Sequence, residues 1–176
     1  KVEKIKKEEE EKVLELNLEN KEELDEKEFE KAKQKYEERI KLPFDIKKEI
    51  KNRVDFRKLF TVTIDGKDSK DFDDAISIEK KDNNYILYVH IADVSHFVKK
   101  DSKLDREAYK RGNSVYLFDY VVPMLPELLS NQLCSLNPNT DKLAITVKMT
   151  ISNSGIVKDY KFYESVINSD YRLVYD

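Results

Sequence analysis

The residues best suited to chemistry in this sequence are five aspartates within ten positions: Asp65, Asp68, Asp71, Asp73 and Asp74. Aspartate favours turns over strands, so some of these residues would occur in any loop. Carboxylates held this close repel one another and raise one another's pKa values, and a bound cation offsets that repulsion. Oxygen ligands without nearby nitrogen or sulfur donors favour Mg²⁺ or Mn²⁺ over Zn²⁺.

Three interpretations of this loop are open from the residues alone: a catalytic metal site, a structural cation site, or a plain acidic turn. A calcium-binding EF-hand is excluded, because its loop requires glycine at the sixth position and glutamate at the twelfth. Counted from Asp65, those positions hold Lys70 and Ile76, and counted from Asp68 the sixth is Asp73. A catalytic site would use two ions about 3.5–4 Å apart to hold the attacking and leaving oxygens of a phosphodiester.

The composition excludes several classes of protein. The chain has 176 residues, of which 39% are charged, with three glycines and one cysteine, so collagen-like and disulfide-scaffold chains are excluded. It has no apolar run long enough for a membrane span and no secretory signal pattern. The single Cys134 cannot form an internal disulfide, which favours a reducing, cytoplasmic setting. A net charge of −3 predicts no strong overall attraction to nucleic acid.

The charge is concentrated at the N-terminus. Residues 1–42 contain 12 basic and 15 acidic side chains, and Glu and Lys at helical spacing predict two charged helices over 3–16 and 21–41. We interpret this segment as a solvated linker or a helical arm that Pro43 ends. Residues 44–60 are predicted to form a short helical connector.

From Thr61 onward, alternating apolar and polar residues predict strands. Strands are expected over 61–65, 75–79 and 85–91, the last being central, and over the hairpin 143–151 and 156–167 around the turn 153–155. A helix is expected over 101–111, with Asp101 or Ser102 as its N-cap and Leu104, Ala108 and Tyr109 facing inward. Residues 114–122 read as extended, a short helix begins near Pro126, and a further element begins at 171–175. The fold class is α+β, a mixed sheet with flanking helices preceded by the charged arm.

Several segments in one order resemble the ribonuclease II/ribonuclease R family. They are TIDGKDSKDFDDAISIE (63–79), HIADVSHFV (90–98), LDREAYKRGNSVYL (104–117), VPMLPELLSNQLCSLNP (122–138) and YKFYESVI (160–167). Their order is that of the N-terminal half of the family's catalytic RNB domain, and the resemblance covers about residues 56–176. It is strongest to the bacterial ribonuclease R branch.

The resemblance implies a processive, hydrolytic 3′-to-5′ exoribonuclease that uses Mg²⁺, with Mn²⁺ as a possible substitute, and releases nucleoside 5′-monophosphates. The family's four catalytic and metal-binding aspartates fall on Asp65, Asp71, Asp73 and Asp74. By analogy Asp73 is tied most directly to cleavage, through a second metal or the attacking water, while Asp68 lies outside this quartet. An aromatic that stacks on a base near the RNA 3′ end falls on Tyr116.

The resemblance also implies partners outside this chain. We expect residues 1–55 to form the arm and residues 56–176 to form a truncated half of the RNB domain. The family's cold-shock domains, S1 domain and second RNB half would complete the enzyme, so the chain alone is expected to be inactive. The alternatives are a non-catalytic module that binds RNA or a partner, and an assembly arm formed by the charged helices. The intact aspartate quartet favours the enzyme.

The remaining polar residues carry weaker hypotheses. Asp93 is interpreted as a satisfied loop aspartate or an outer partner of the site, His90 as a packed strand residue and His96 as a weak candidate for RNA contact. Three basic residues of one helix could contact phosphate or form an exposed basic face: Arg106, Lys110 and Arg111. Cys134 is predicted to be a small buried hydrophobe.

Overall fold

The structure, a computed structural model, describes residues 46–118 and 121–175. They fall into two compact units, one of residues 46–97 and 125–175 and a smaller one of residues 98–118 and 121–124. The helices predicted over 3–16 and 21–41 lie outside the described residues. Among the described helices, none is long and apolar enough to cross a membrane.

The described elements are nine strands, three short α-helices and one π-helical segment. In chain order they are α1 (Ile46–Ile50), β1 (Val54–Asp55), β2 (Thr61–Gly66), β3 (Asp74–Lys81), β4 (Asn84–Ala92), α2 (Val94–Phe97), α3 (Lys103–Arg111), β5 (Val115–Tyr116), β6 (Val121–Val122), a π-helical segment (Leu128–Leu133), β7 (Asp141–Ser152), β8 (Val157–Asn168) and β9 (Tyr171–Tyr175).

Seven strands of the larger unit form one sheet in the order β1-β8-β7-β4-β3-β2-β9. β1 runs parallel to β8 and β9 runs parallel to β2, while the other neighbours are antiparallel. The sheet is therefore mixed, and the predicted fold class is confirmed for the described residues. β4, whose sequence is the most continuously apolar, lies fourth of the seven strands, as expected for the central strand.

The hairpin of β7 and β8 forms around the predicted turn. Gly155 has a φ of 80°, which an L side chain rarely adopts. The amide of Gly155 donates to Ser152 O at 2.9 Å and so closes the turn. The long antiparallel pairing of β7 with β8 then sets which residues of the two strands lie opposite each other.

The connector before β2 is helical only in part. Residues 46–50 form α1, but Val54 and Asp55 pair with β8, and the amide of Phe56 donates to Val166 O at 2.9 Å. The Phe56 ring also packs edge-on against Tyr88 at 5.4 Å between ring centroids. Contacts with the sheet thus override the helical preference of this charged segment, and the predicted helix over 44–60 is wrong beyond residue 50.

In the smaller unit, α3 begins and ends where the sequence predicts. The Ser102 hydroxyl accepts the amide of Asp105, and Gly112 ends the helix with a φ of 74° and an amide bond to Ala108 O. Ala108 is buried, but Tyr109 is 88% exposed, so the predicted inward orientation of Tyr109 is wrong. Leu104, the third residue predicted to face inward, is half-buried.

The two faces of the sheet differ in character. One face is buried and carries small, polar or hydroxyl side chains: Thr61, Ala75, Ser77, His90, Thr146 and Ser165. By the strand register, the opposite face carries exposed apolar residues: Ile64, Ile78, Ile91, Phe162 and Leu173. Arg172, which bonds to the aspartate-rich segment, lies on β9, and Ser135, which also bonds to it, lies between the π-helical segment and β7.

Candidate functional site

The aspartate loop, residues 65–74, connects β2 to β3 as predicted. Asp65 lies near the end of β2, where β2 pairs with β9, and Asp74 is the first residue of β3. β2 and β3 pair antiparallel through Val62 and Ile76, so the two ends of the loop start from neighbouring strands. Asp71 and Asp73 lie in the irregular stretch between them and are exposed.

Two members of the predicted quartet act electrostatically on a third, Asp74. The pKa of Asp74 is raised, mainly by burial and further by the negative charges of Asp73 and Asp65. Oδ2 of Asp65 is buried and, among the described residues, makes no hydrogen bond. An unpaired buried carboxylate oxygen beside two other carboxylates is an environment that favours a positive charge.

The donor set fits a hard divalent cation. All the candidate ligands are carboxylate oxygens, which Mg²⁺ and Mn²⁺ prefer. Within residues 46–118 and 121–175, however, no three Asp, Glu, His or Cys side chains converge closely enough to hold one ion. Repulsion between like charges favours conformations in which carboxylates point apart. The loop therefore brings the charge together without forming a closed ligand shell.

Phe72 anchors the middle of the loop, with its side chain buried between two exposed aspartates. Its amide donates to the Ser135 hydroxyl at 3.0 Å, and its carbonyl accepts the amide of Leu136 at 2.7 Å. The Ser135 hydroxyl in turn donates to the carbonyl of Lys70 at 2.9 Å. The segment after the π-helix thus fixes both backbone groups of Phe72.

Two further contacts fix the ends of the loop. The amide of Ala92, at the end of β4, donates to the carbonyl of Asp73 at 2.9 Å. Arg172 of β9 donates through Nη2 to the carbonyls of Gly66 at 2.8 Å and Lys67 at 2.6 Å. Its guanidinium also lies 5.0 Å from the centroid of the Phe72 ring. The loop is consequently held at its start, middle and end.

Sequence reasoning missed Ser135 and Arg172. Ser135 follows Cys134 in a short segment whose local pattern shows only apolar burial, and Arg172 lies in a strand predicted only as an unfinished element. Their partners in the loop are 65 and more than 100 positions away. The available signal was the isolated Arg in an otherwise apolar and aromatic strand, since such a residue usually has a bonding partner.

The other predicted binding residue, Tyr116, lies in β5 of the smaller unit, which pairs with β6. Its side chain is 69% exposed, so its ring is available for stacking. Of the basic residues of α3, Arg111 donates to Glu107 at 3.0 Å and to Pro123 O at 3.0 Å, and Arg106 donates to Asp101 O. These bonds give the two arginines a structural role within the unit.

Asp93 is a bonded structural residue, as expected. It accepts hydrogen bonds from Arg53 at 2.5 Å and Ser95 at 2.7 Å. Burial by itself raises the pKa of Asp93, but these hydrogen bonds outweigh it and lower the pKa overall. His96 lies 3.5 Å from Arg53 Nη2 through its Nδ1. The pair of Asp93 and Arg53 therefore ties the start of β1 to the end of β4.

Two other expectations are confirmed. His90 is fully buried between Ser77 and Thr146, and burial lowers its pKa to about 4. Cys134 is buried, and burial raises the pKa of its thiol to about 11. Both side chains are packed structural groups at neutral pH.

Comparison with known proteins supports the resemblance. A sequence model of the family described as RNB domain matches residues 53–176. Ribonuclease R of Vibrio parahaemolyticus is 60% identical over 124 residues, which are 70% of this chain and 15% of that protein. Ribonuclease R of Thermotoga maritima is 56% identical over 131 residues, 74% of this chain and 18% of that protein. The chain thus spans less than a fifth of these relatives.

Solved structures give the same result. The apo form of Mycoplasma genitalium RNase R is 43% identical with a TM-score of 0.74, and the match covers 80% of this chain and 22% of that one. Yeast Ssd1, described as a pseudonuclease, has a TM-score of 0.65 at 22% identity, covering 72% of this chain and 16% of that one, and so shows the fold alone. With the family match over residues 53–176, the chain belongs to the RNB domain family and is similar in sequence and fold to bacterial ribonuclease R.

Proposed function

We propose that this chain is the metal-holding part of a Mg²⁺-dependent, processive 3′-to-5′ exoribonuclease that releases nucleoside 5′-monophosphates. The observation that carries the proposal is the aspartate loop, in which the negative charges of Asp73 and Asp65 act on Asp74 and a carboxylate oxygen of Asp65 is buried without a hydrogen-bond partner among the described residues. Such repulsion has a cost in folding that a protein without a cation to bind has no reason to retain.

The residues would divide the work as follows. Asp65, Asp71 and Asp74 would hold the ion, and Asp73 would orient the water that attacks the phosphodiester. A bound divalent ion supplies positive charge opposite the developing charge on the phosphate oxygens. Tyr116 would stack on a base near the RNA 3′ end, a contact that tolerates any sequence because every base has a π face. A Mycoplasma genitalium relative has been solved with ribose-methylated single-stranded RNA, which supports RNA as the substrate class.

Residues 53–176 alone are proposed to be inactive. The relatives are more than five times longer than the matched segment. Transition-state charge also requires positioned donors beyond the metal-holding carboxylates. We propose that RNA binding and those donors come from cold-shock domains, the second RNB half and an S1 domain.

A non-catalytic binding module is the second candidate. The yeast protein described as a pseudonuclease shares this fold, so the fold by itself does not decide between cleavage and binding. The carboxylates do distinguish the two, because a module that only binds RNA gains nothing from four negative charges facing a polyanion.

The deciding experiment is a chimera. Residues 53–176 replace the matching segment of Escherichia coli ribonuclease R, which is 55% identical over 124 residues. The chimera is given uniformly labelled single-stranded RNA with Mg²⁺ or with EDTA. We expect release of labelled mononucleotides that EDTA and Asp73→Asn abolish, while Asp68→Asn, in the same loop, leaves the rate within about threefold, as for a surface substitution.

The proposal fails if the Asp73→Asn chimera releases mononucleotides at the rate of the unmodified chimera. A chimera that folds and binds RNA but releases no mononucleotide under any condition supports the binding module instead. The isolated 176-residue chain, assayed beside it, should release none.

A further inference from the structure

We propose that Ser135 and Arg172 are positioning residues that fix the backbone of the aspartate loop, from which its carboxylates converge on a divalent cation. This inference rests on the proposed function for its ligand, and it extends that function to two side chains whose hydrogen bonds go to the loop backbone. Both belong to the larger unit, as does the whole loop.

Ser135 fixes the backbone on both sides of Asp71. The carbonyl of Lys70 belongs to the peptide group before Asp71, and the amide of Phe72 belongs to the peptide group after it. One hydroxyl bonds to both, donating to the first at 2.9 Å and accepting from the second at 3.0 Å. Ser135 is 1% exposed, so water does not compete for these bonds. The orientation of the two peptide groups around Asp71 is therefore set by a single side chain.

Arg172 fixes the backbone directly after Asp65. Its Nη2 bridges the carbonyls of Gly66 and Lys67, and its plane lies over the Phe72 ring. The parallel register places Arg172 opposite Thr63, so β9 brings the guanidinium to the base of the loop. Both bonds come from one nitrogen, and the planar guanidinium that carries it also lies over the Phe72 ring, a combination that the compact ammonium of lysine does not reproduce.

Because Arg172 is charged, substitutions can distinguish a positioning role from an electrostatic effect on cation binding. A positive charge beside a cation site weakens cation binding, so neutralising Arg172 would tighten binding if charge were its main influence. If Arg172 acts by holding the loop, both the neutral Arg172→Met and the charge-preserving Arg172→Lys weaken binding. The two explanations predict opposite signs for Arg172→Met.

The experiment uses the 176-residue chain, with Mn²⁺ titrations followed by electron paramagnetic resonance and with amide hydrogen exchange followed by NMR. Ser135→Ala, Arg172→Met and Arg172→Lys should each weaken Mn²⁺ binding about tenfold, as loss of an outer-shell partner does in other metal sites. Ser135→Ala should also speed exchange of the Phe72 amide, whose acceptor it removes.

Ser165→Ala is the matched control. Ser165 is also fully buried, and its hydroxyl bonds to Ala144 O and Thr146 on the hairpin, away from the loop. It should lower the thermal midpoint about as much as Ser135→Ala does, yet leave Mn²⁺ affinity and Phe72 exchange unchanged. If Ser135→Ala and Ser165→Ala lose Mn²⁺ affinity equally, Ser135 contributes only to the stability of the fold and the positioning role is wrong.

The outcomes separate this inference from the proposed function. If the unsubstituted chain binds no Mn²⁺, the metal part of the proposed function fails, and exchange of the Phe72 amide still decides the role of Ser135. Unchanged Phe72 exchange in Ser135→Ala, or tighter Mn²⁺ binding by Arg172→Met, overturns the positioning role. Faster exchange together with weaker binding by all three variants supports it.

Discussion

The imidazole Nδ1 of His90 lies 2.7 Å from the hydroxyl of Thr146, in a buried row of polar side chains that crosses five neighbouring strands. The row begins with Thr61 donating to Leu59 O and ends with Ser165 donating to Ala144 O. Between them lie the contacts of Thr61 with Ser77, Ser77 with His90, and Thr146 with Ser165. Both end hydroxyls donate to carbonyls, so the four hydroxyls and a neutral imidazole supply five hydrogens for these six contacts, and one contact of the row is left without a hydrogen.

Burial of His90 makes the stability of the fold depend on pH. Burial lowers the pKa of His90 from 6.5 to about 4, so the ring is neutral in the folded chain and takes up a proton more readily on unfolding. Stability is complete above pH 6.5, falls as the pH drops from 6.5 towards 4, and levels off below that. The expected loss is about 3 kcal/mol.

Urea unfolding of the chain and of His90→Gln across pH 4–8 measures this effect. The other titratable groups are common to both proteins, so the difference between their free energies of unfolding isolates His90. That difference should shrink by about 3 kcal/mol from pH 7 to pH 4. Parallel curves would show that His90 is protonated in the folded state.

Replacing only one partner of the ion pair between Arg53 and Asp93 should strongly lower the free energy of unfolding. Both side chains are nearly buried, at 6% and 4% exposure, and Nη1 of Arg53 has no hydrogen-bond partner among the described residues. Asp93→Asn leaves the guanidinium charge uncompensated, so we expect a loss of about 3–5 kcal/mol in the free energy of unfolding. The double variant Arg53→Met, Asp93→Asn should recover part of it. A single variant within 1 kcal/mol of the parent would place Arg53 in water.

The carboxylates of the loop should differ sharply in how much each contributes to Mn²⁺ affinity. In isothermal titration of the 176-residue chain with Mn²⁺, Asp65→Asn and Asp74→Asn should each weaken binding by at least about tenfold, because each removes a charged ligand. Asp68→Asn is the control, since it removes one charge from the same loop outside the quartet. Equal effects for Asp68 and Asp74 would indicate diffuse attraction of the ion to the acidic loop instead of specific ligation.

The exposed ring of Tyr116 should contribute to RNA affinity in the ribonuclease R chimera. Tyr116→Ala should cost about 1–3 kcal/mol of binding to single-stranded RNA, while Tyr116→Phe should retain most of it, because the stacking face is unchanged. Fluorescence anisotropy in EDTA measures binding without cleavage. Tyr160→Ala is the matched control. The exposed fraction of Tyr160, 62%, is similar to the 69% of Tyr116, but Tyr160 lies on β8 of the larger unit.

Local patterns predicted the elements of the sheet well. Alternation of apolar and polar residues located β2, β3 and β4, and the Asn-Ser-Gly turn located the hairpin, because each signal depends on residues close in sequence. The same reasoning placed the aspartate loop between its strands. It failed for Val54 and Asp55, whose strand pairing depends on β8, and for Tyr109, which one apolar position in a short helix could not orient.

The supports of the loop could not be predicted in this way. Ser135 and Arg172 act on backbone carbonyls and an amide, which every residue carries, so their targets leave no mark in the sequence. Their roles follow from strand order, which places β9 beside β2 and brings residue 135 beneath Phe72. Chemistry-bearing residues were therefore visible in the sequence, whereas the residues that orient them became visible only in three dimensions.

The parallel pairing of β9 with β2 has a consequence for biosynthesis. Arg172 bonds to backbone groups made 105 and 106 positions earlier, so the base of the loop stays unsupported on the ribosome until the ninth strand has emerged. Contacts this distant in sequence form late and slowly. During translation, the hairpin of β7 and β8 can therefore close before the base of the loop gains its contacts with β9.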